Sequence, residues 1–521
     1  MPTKQKEIAD KGEQEIRTKI FREFKGVNTK AARVSIPPDT FYDLVNLMPI
    51  GHSNLHTVPG LSASLVNYGA DTIYWAEYAN INSTDYIISF ATTGKIFAYN
   101  ITGNSSSQIN VGHLFSGAGS RMDQWKNTNI LFVDSTAGYW TWDGSTFNNT
   151  NLTGGIIPGS FGTVVDIAVF SNRVWLYTNR LLYISGLNDF TATVSTGGFL
   201  VANGALIQNI TDPQARGECV RLIGANGYLY MLFKSSIFVV SDVYIPTGAS
   251  PPTPVFTILN VQANIGCDQA PSIFPVNRDL MFANKYGLWA LRGVTADRMS
   301  EDIDGTIQYL DTTKTISGGT ATVKNIQCAG FLINQLNDPV IGTRTVVALN
   351  FDKKWWFANL GAFTFILQAI SNGIPCLFGF IGNQLYQLFS TGATPPAASW
   401  QTALWPMEDQ LSDKEVQRVG FEITTATPGS LTFNVDTPTT SNPVNITNSL
   451  GEIVFTGASG LAIQFQTGAV NLNFISGTYG LILTDGQGAY AKYVGVSGMS
   501  GAGADFELNS FELDYYLRKR W

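Results

Sequence analysis

Between residues 61 and 395 apolar positions come in short runs, and the runs come in pairs. Asp85–Phe90 leads through Thr93-Gly94 to Lys95–Tyr99, and Asn129–Val133 leads through Ala137-Gly138 to Tyr139–Trp142. Arg173–Tyr177, Gly227–Phe233, Asp279–Ala283 and Pro375–Phe380 each lead in the same way to a second run carrying an aromatic residue. Such runs, split by polar or glycine-bearing turns, predict β-hairpins. The central aromatics of the second runs are Phe97, Trp140, Tyr183, Phe238, Trp289 and Tyr386, in steps of 43, 43, 55, 51 and 97 residues. The first four steps sit near the 40–50 residues expected of propeller blades. The long step holds a further pair, Arg344–Leu349 and Lys354–Phe357, which reads as the outer half of the last blade. The count is six blades, with the 300–345 region leaving seven open.

The pattern changes around this region. Residues 391–398 read as a linker by composition. Beyond them, 416–423, 430–435, 452–455, 462–465, 480–483 and 506–517 alternate by two between glycine- and threonine-rich turns. That predicts a small β-sandwich of roughly six to eight strands. At the other end, residues 34–60 read as an extended strap punctuated by prolines. In residues 1–33, Ile16, Ile20 and Phe24 have the spacing of a short amphipathic helix, and an arm ordered only by a partner fits as well. The expected architecture is therefore all-β. It has an arm and strap (1–60), a β-propeller of about six blades (61–395) and a C-terminal β-sandwich (396–521).

Composition narrows the class. Only 14% of the 521 residues are charged, 12% are aromatic and 51 are glycine. This is the make-up of sheets and tight turns, and the reverse of a disordered chain. No apolar stretch reaches the length of a membrane span, and the first residues lack a leader's apolar core. Cys219, Cys267, Cys328 and Cys376 stand 48, 61 and 48 apart, which suggests buried thiols rather than a disulfide framework or zinc site. The net charge of −7 is unevenly spread. Residues 1–33 carry nine basic and five acidic side chains, and Arg518-Lys519-Arg520 adds three more positive charges, so the rest carries −14. An acidic body is poorly suited to gripping nucleic acid, since affinity comes from cations on phosphates.

Motifs for chemistry are sparse. His52 and His56 lie four apart without the glutamate of a zinc-protease helix, and read as turn histidines. No hydrolase elbow or phosphate loop occurs. Gly495–Gly503 reads as a flexible hairpin loop. Glu301-Asp302 with Asp304, or Glu408-Asp409, would serve a glycosidase only at a fixed carboxylate separation. Turns near Asp134 and Asp143 depart from the Asp-box of sialoside-cleaving propellers. Trp140, Trp142, Trp355 and Trp356 would serve a glycan-binding surface if exposed, and blade packing if not. No catalytic, cofactor or metal residues are assigned.

Three ordered blocks carry a resemblance. The first is Phe24–Asn28, Asp43–Pro49 and Val58–Gly60. The second is Asn264–Cys267, Leu280–Asn284, Gly287–Leu291 and Met299–Ile303. The third is Ser399–Thr402, Lys414–Val419 and Phe506–Leu508. In this order they resemble the β-propeller tail proteins of short-tailed bacteriophages, a group with the tail nozzle (tail tubular protein B) and the packaged-DNA-stabilising tail hub. The resemblance implies a non-enzymatic virion protein of the tail. It would form a hexameric ring below portal and adaptor proteins, hold tail fibres or spikes, and conduct and retain genomic DNA without sequence-specific binding or membrane insertion. The basic residues of the arm, Lys4, Lys6, Lys11, Arg17, Lys19, Arg22 and Lys25, are then expected to dock an acidic neighbour or ring-mate. A receptor- or glycan-binding propeller and a propeller glycosidase are the alternatives.

Overall fold

The structure is a computed structural model. It describes residues 15–51, 54–148, 152–163, 166–193, 196–339, 341–427, 429–443, 472–474, 477–485 and 489–518. Strands dominate, and helix is confined to short turns such as Asp304–Ile307. The chain forms two compact units. One is Pro59–Lys353 with Leu360–Ala393; the other is Met1–Val58, Lys354–Asn359 and Thr394–Trp521. The N-terminal strap and the C-terminal portion, separate in the sequence reading, thus share a unit.

Among the described residues the first unit holds seven sets of antiparallel strands, numbered here as sheets in chain order. The first is Ile73–Ile81, Thr84–Ala91, Ile96–Asn100 and Ser105–Gln108. The second is Arg121–Trp125, Asn129–Asp134 and Gly138–Trp142. The third is Asp166–Phe170, Arg173–Thr178, Leu181–Ile184 and Leu206–Asn209. The fourth is Cys219–Ala225, Tyr228–Phe233, Ile237–Tyr244 and Val255–Gln262. The fifth is Phe274–Val276, Asp279–Asn284, Gly287–Arg292 and Thr295–Arg298. The sixth includes Ser317–Val323, Ile326–Asp338 and Gly342–Phe351, and the seventh has Phe365–Ser371, Ile374–Ile381 and Gln384–Gln387.

Local chemistry explains the hairpins. Two-residue turns that match the strand twist need positive φ at both positions, which Asn and Gly tolerate best. Asn82-Ser83 (φ 50° and 64°), Ser171-Asn172 (49° and 53°) and Asn226-Gly227 (52° and 80°) supply it.

The region 300–345, which left a seventh repeat open, holds a further set of paired strands. Gly342–Phe351 does not complete the last repeat: it pairs with Ile326–Asp338, whose other neighbour is Ser317–Val323. Lys354–Ala358 belongs to the other unit. The sixth sheet was hidden because Gly318, Gly319 and Gly330 interrupt its apolar runs. They do so for space: a Cβ on Gly318 would stand 2.3 Å from the Phe274 ring, and one on Gly319 2.6 Å from the Gln368 backbone.

First strands of neighbouring sheets touch in the order seventh, first, second, third, fourth, and again fifth, sixth, seventh. Fourth and fifth sheets share a core of Tyr230, Leu232, Val239, Leu280, Phe282 and Leu291. The seventh sheet takes its outer strand from the start of the unit, Val66–Asn67, with Val66 opposite Leu385. Both faces of most sheets are buried, which is why charged residues are so few.

In the second unit one sheet runs Leu47–Ile50, Asn54–Thr57, Asp505–Arg518, Asp413–Thr427 and Gly477–Asp485. Arg17–Phe21 also pairs with Asp505–Arg518. A second set of paired strands in this unit runs Lys354–Ala358, Phe41–Val45, Ser399–Thr402, Gly495–Ser500 and Gly429–Asp436. The two face each other through Phe421 against Phe433 (ring centroids 3.5 Å apart) and Trp400 against Phe506 (6.3 Å).

Three local expectations change here. Residues 17–21 are a strand, not a helical turn, because Phe21 stacks on Trp405 at 3.8 Å and Phe511 at 5.0 Å. Gly495–Ser500 is a strand whose glycines make room: a Cβ on Gly498 would lie 2.2 Å from the Trp400 ring. His56 sits in the Asn54–Thr57 strand, 3.4 Å from Glu507, while His52 lies outside the described residues. The expected strands at 452–455 and 462–465 also lie outside them.

Candidate functional site

The first strand of each sheet has one edge without a strand partner, and its backbone groups need satisfying. Side chains from neighbouring first strands do this. Gln124 accepts from the Asn80 N–H (2.8 Å) and donates to its carbonyl (2.6 Å). Asp123 accepts from the Val169 N–H at 2.6 Å, and Asp166 from the Leu222 N–H at 2.8 Å. Gln368 accepts from Thr320 (3.1 Å) and the Ser317 hydroxyl from Ile366 (2.8 Å). Polar side chains therefore stitch sheet to sheet where no ladder can form.

Where the first four sheets meet, these staples merge into a charged cluster. Trp75, buried, has the Arg121 guanidinium 4.0 Å from its ring centroid and that of Arg221 at 5.1 Å. Its indole N–H donates to Glu77 at 2.6 Å, and the other Glu77 oxygen receives Arg221 at 2.7 Å. Asp123 and Asp166 complete the set.

Burial dominates the electrostatics. It pushes the Asp123 carboxyl up to about 7, with Glu77 and Asp166 adding to the rise against the pull of two backbone N–H groups. It pushes Asp166 up to about 6, against the two guanidiniums. Burial pulls Arg121 down, whereas for Arg221 that same pull is outweighed by Glu77, Asp166 and Asp123, which raise it.

Trp75 lines two cavities. One of about 240 Å³ is bounded by Glu77, Arg221, Phe274, Phe365 and Gln368. The other, of about 370 Å³, is bounded by Tyr74, Arg121, Lys234, Asp268 and Gln269. Carboxyls titrating near neutrality are suited to moving protons. Here, however, both Asp123 oxygens and both Asp166 oxygens accept backbone N–H bonds, so their first task is holding strands in register.

No cluster residue was singled out from sequence. Each looked like an ordinary polar position, and the pair Glu77 and Arg221 is 144 residues apart. The available signal was a charge in the first strand of successive repeats.

The residues that were singled out are scattered. Lys4, Lys6 and Lys11 lie outside the described residues. Arg17 pairs with Glu408 and Lys25 with Asp39. The Lys19 ammonium lies 5.9 Å from the Phe21 ring, and Arg22 is exposed, its charge opposing the rise that burial and Asp514 impose on the Glu512 carboxyl. The glycosidase candidates are tied up locally: Arg298 donates to Asp304, and Asp409 accepts from Leu411 and Ser412. The four tryptophans are all buried, which removes them as a glycan platform. Asp134 is a turn clamp, accepting from Ser116, Ser120, Thr136 and Ala137. Cys219, Cys267 and Cys328 are buried free thiols, and Cys376 is half-buried.

Among the described residues no group of three or more His, Cys, Asp or Glu is placed to hold a metal, and no helix is long and apolar enough to cross a membrane. Compared with family models and with curated proteins, the chain matches none.

Proposed function

We propose that the chain is a structural protein of a short-tailed bacteriophage tail, a nozzle or hub. In this reading Pro59–Ala393 is a seven-bladed β-propeller, with Val66–Asn67 closing its last blade, and the other unit is a β-sandwich. Six copies form a ring below portal and adaptor proteins, carry fibres or spikes, and conduct and retain the genome. The role is mechanical rather than enzymatic.

The observation that carries the reading is where the resembling blocks fall. Strands of the first and third blocks, hundreds of residues apart, pair: Leu44 opposite Trp400, and Val45 opposite Ser399. In the second block, Leu280–Asn284 and Gly287–Leu291 pair as neighbouring strands of one sheet, Ser300–Ile303 is the turn that follows it, and Asn264–Cys267 precedes it. The blocks thus bring distant parts of the chain together in the order that the resemblance requires. The charge distribution adds support, because an acidic body lets DNA pass without many phosphate contacts. Gold-labelled antibody against the protein should mark the tail end of the virion; label on the capsid or none on the particle would contradict the proposal.

A further inference from the structure

The outer strands of the sheets in the Pro59–Ala393 unit differ sharply. Ser105–Gln108 is short and polar, Thr295–Arg298 carries Asp297 and Arg298, and Leu206–Asn209 has four residues. Val255–Gln262 has eight residues, Val-Phe-Thr-Ile-Leu-Asn-Val-Gln, with no charge and no proline. It pairs with Ile237–Tyr244 on one side only. Folded proteins commonly blunt an edge with lysine, proline or brevity, since an open edge invites another strand. This edge has none of those three devices; its pairing with Ile237–Tyr244 shifts register at both ends and runs regularly over Thr257–Asn260.

Its two faces are unequal. Phe256 and Ile258 pack toward the third sheet, with Phe256 edge-on to Trp175 at 5.3 Å. Val255, Thr257 and Leu259 point the other way. There the fifth sheet ends in a strand of only four residues, which leaves the longer strand overhanging. Val261 is covered, but Val255 is 43% exposed, Leu259 50%, and Tyr244, opposite Val255, 57%.

We propose that this edge pairs with the same edge of a second copy of the chain. The strand suits itself. Side chains alternate, so apolar faces match only if paired residue numbers share parity. Antiparallel pairing about Ile258 does this, placing Thr257 opposite Leu259 within the regularly paired stretch Thr257–Asn260. Opposed copies bring no like charges together, and Tyr244 and Leu259 of both copies form one apolar face. The contact is isologous and two-fold. It rests on the edge alone and stands whether or not the chain forms a six-membered ring.

Mass photometry of the full chain tests it. Thr257→Lys with Leu259→Lys should halve the mass of the main species relative to wild type; an unchanged mass overturns the proposal. Because the lysines could impair folding, a Thr257→Cys/Leu259→Cys variant supplies a second measurement. Mild oxidation should link two chains on a denaturing gel, with wild type as the control for the native thiols. A wholly monomeric gel overturns the proposal.

Discussion

Trp75, held between two guanidiniums, shows what a single residue contributes. Its Glu77 bond and the Glu77–Arg221 pair bind the first sheet to the fourth, with both charged side chains about 15% exposed. Breaking a buried pair from one side strands the other charge. Arg221→Ala should therefore lower unfolding free energy by about 3–5 kcal/mol, while Glu77→Gln with Arg221→Met should recover most of it. Urea denaturation of the set measures this, and equal losses would mean the pair is not coupled.

Asp123 predicts a pH effect. Its folded value of about 7 lies above that of an unfolded aspartate. Between those values the folded state binds more protons than the unfolded one, so this group's contribution to stability falls as pH rises through the window. Asp71 and Asp134 act oppositely. Against the push of burial, hydrogen bonds from Thr93 and Lys95 to Asp71, and from Ala137, Ser116 and Ser120 to Asp134, hold both below the ordinary value. Their contribution is lost as pH falls through the acid range. Asp123→Asn should thus flatten the decline in melting temperature between pH 5 and 8, a difference on the order of a few degrees. An unaltered slope would show that Asp123 does not titrate there.

At the scale of elements, hairpins were legible because each is local: an apolar run, a turn with Asn or Gly, a second run. First strands were not, because they carry the staples and are completed by residues from another sheet. Closure by Val66–Asn67 escaped for the same reason, its partner being about 320 residues away. The arm illustrates how period misleads. Ile16 and Ile20, spaced as on a helix, are exposed, whereas Phe21 and Phe24 are the anchors, buried beside Phe511. Deleting residues 1–33 would therefore remove core as well as charge. Lys19→Glu with Arg22→Glu changes charge at exposed positions only. It should leave the melting temperature within a few degrees of wild type while reducing assembly mass in mass photometry. Unchanged assembly would rule these two residues out of docking.

The whole molecule explains its own composition. Small sets of strands packed against their neighbours in one unit, and strands packed face to face in the other, bury both faces of most strands and leave few places for charge. The charges that remain inside are staples, and the rest give an acidic body with basic ends. How copies fit together was legible only as an expectation, since the contacts that decide it lie between chains. The most direct test of the ring is electron microscopy of the purified full chain. The account predicts six-fold class averages with a central hole. Averages showing only single copies, or closed particles without a hole, would contradict it.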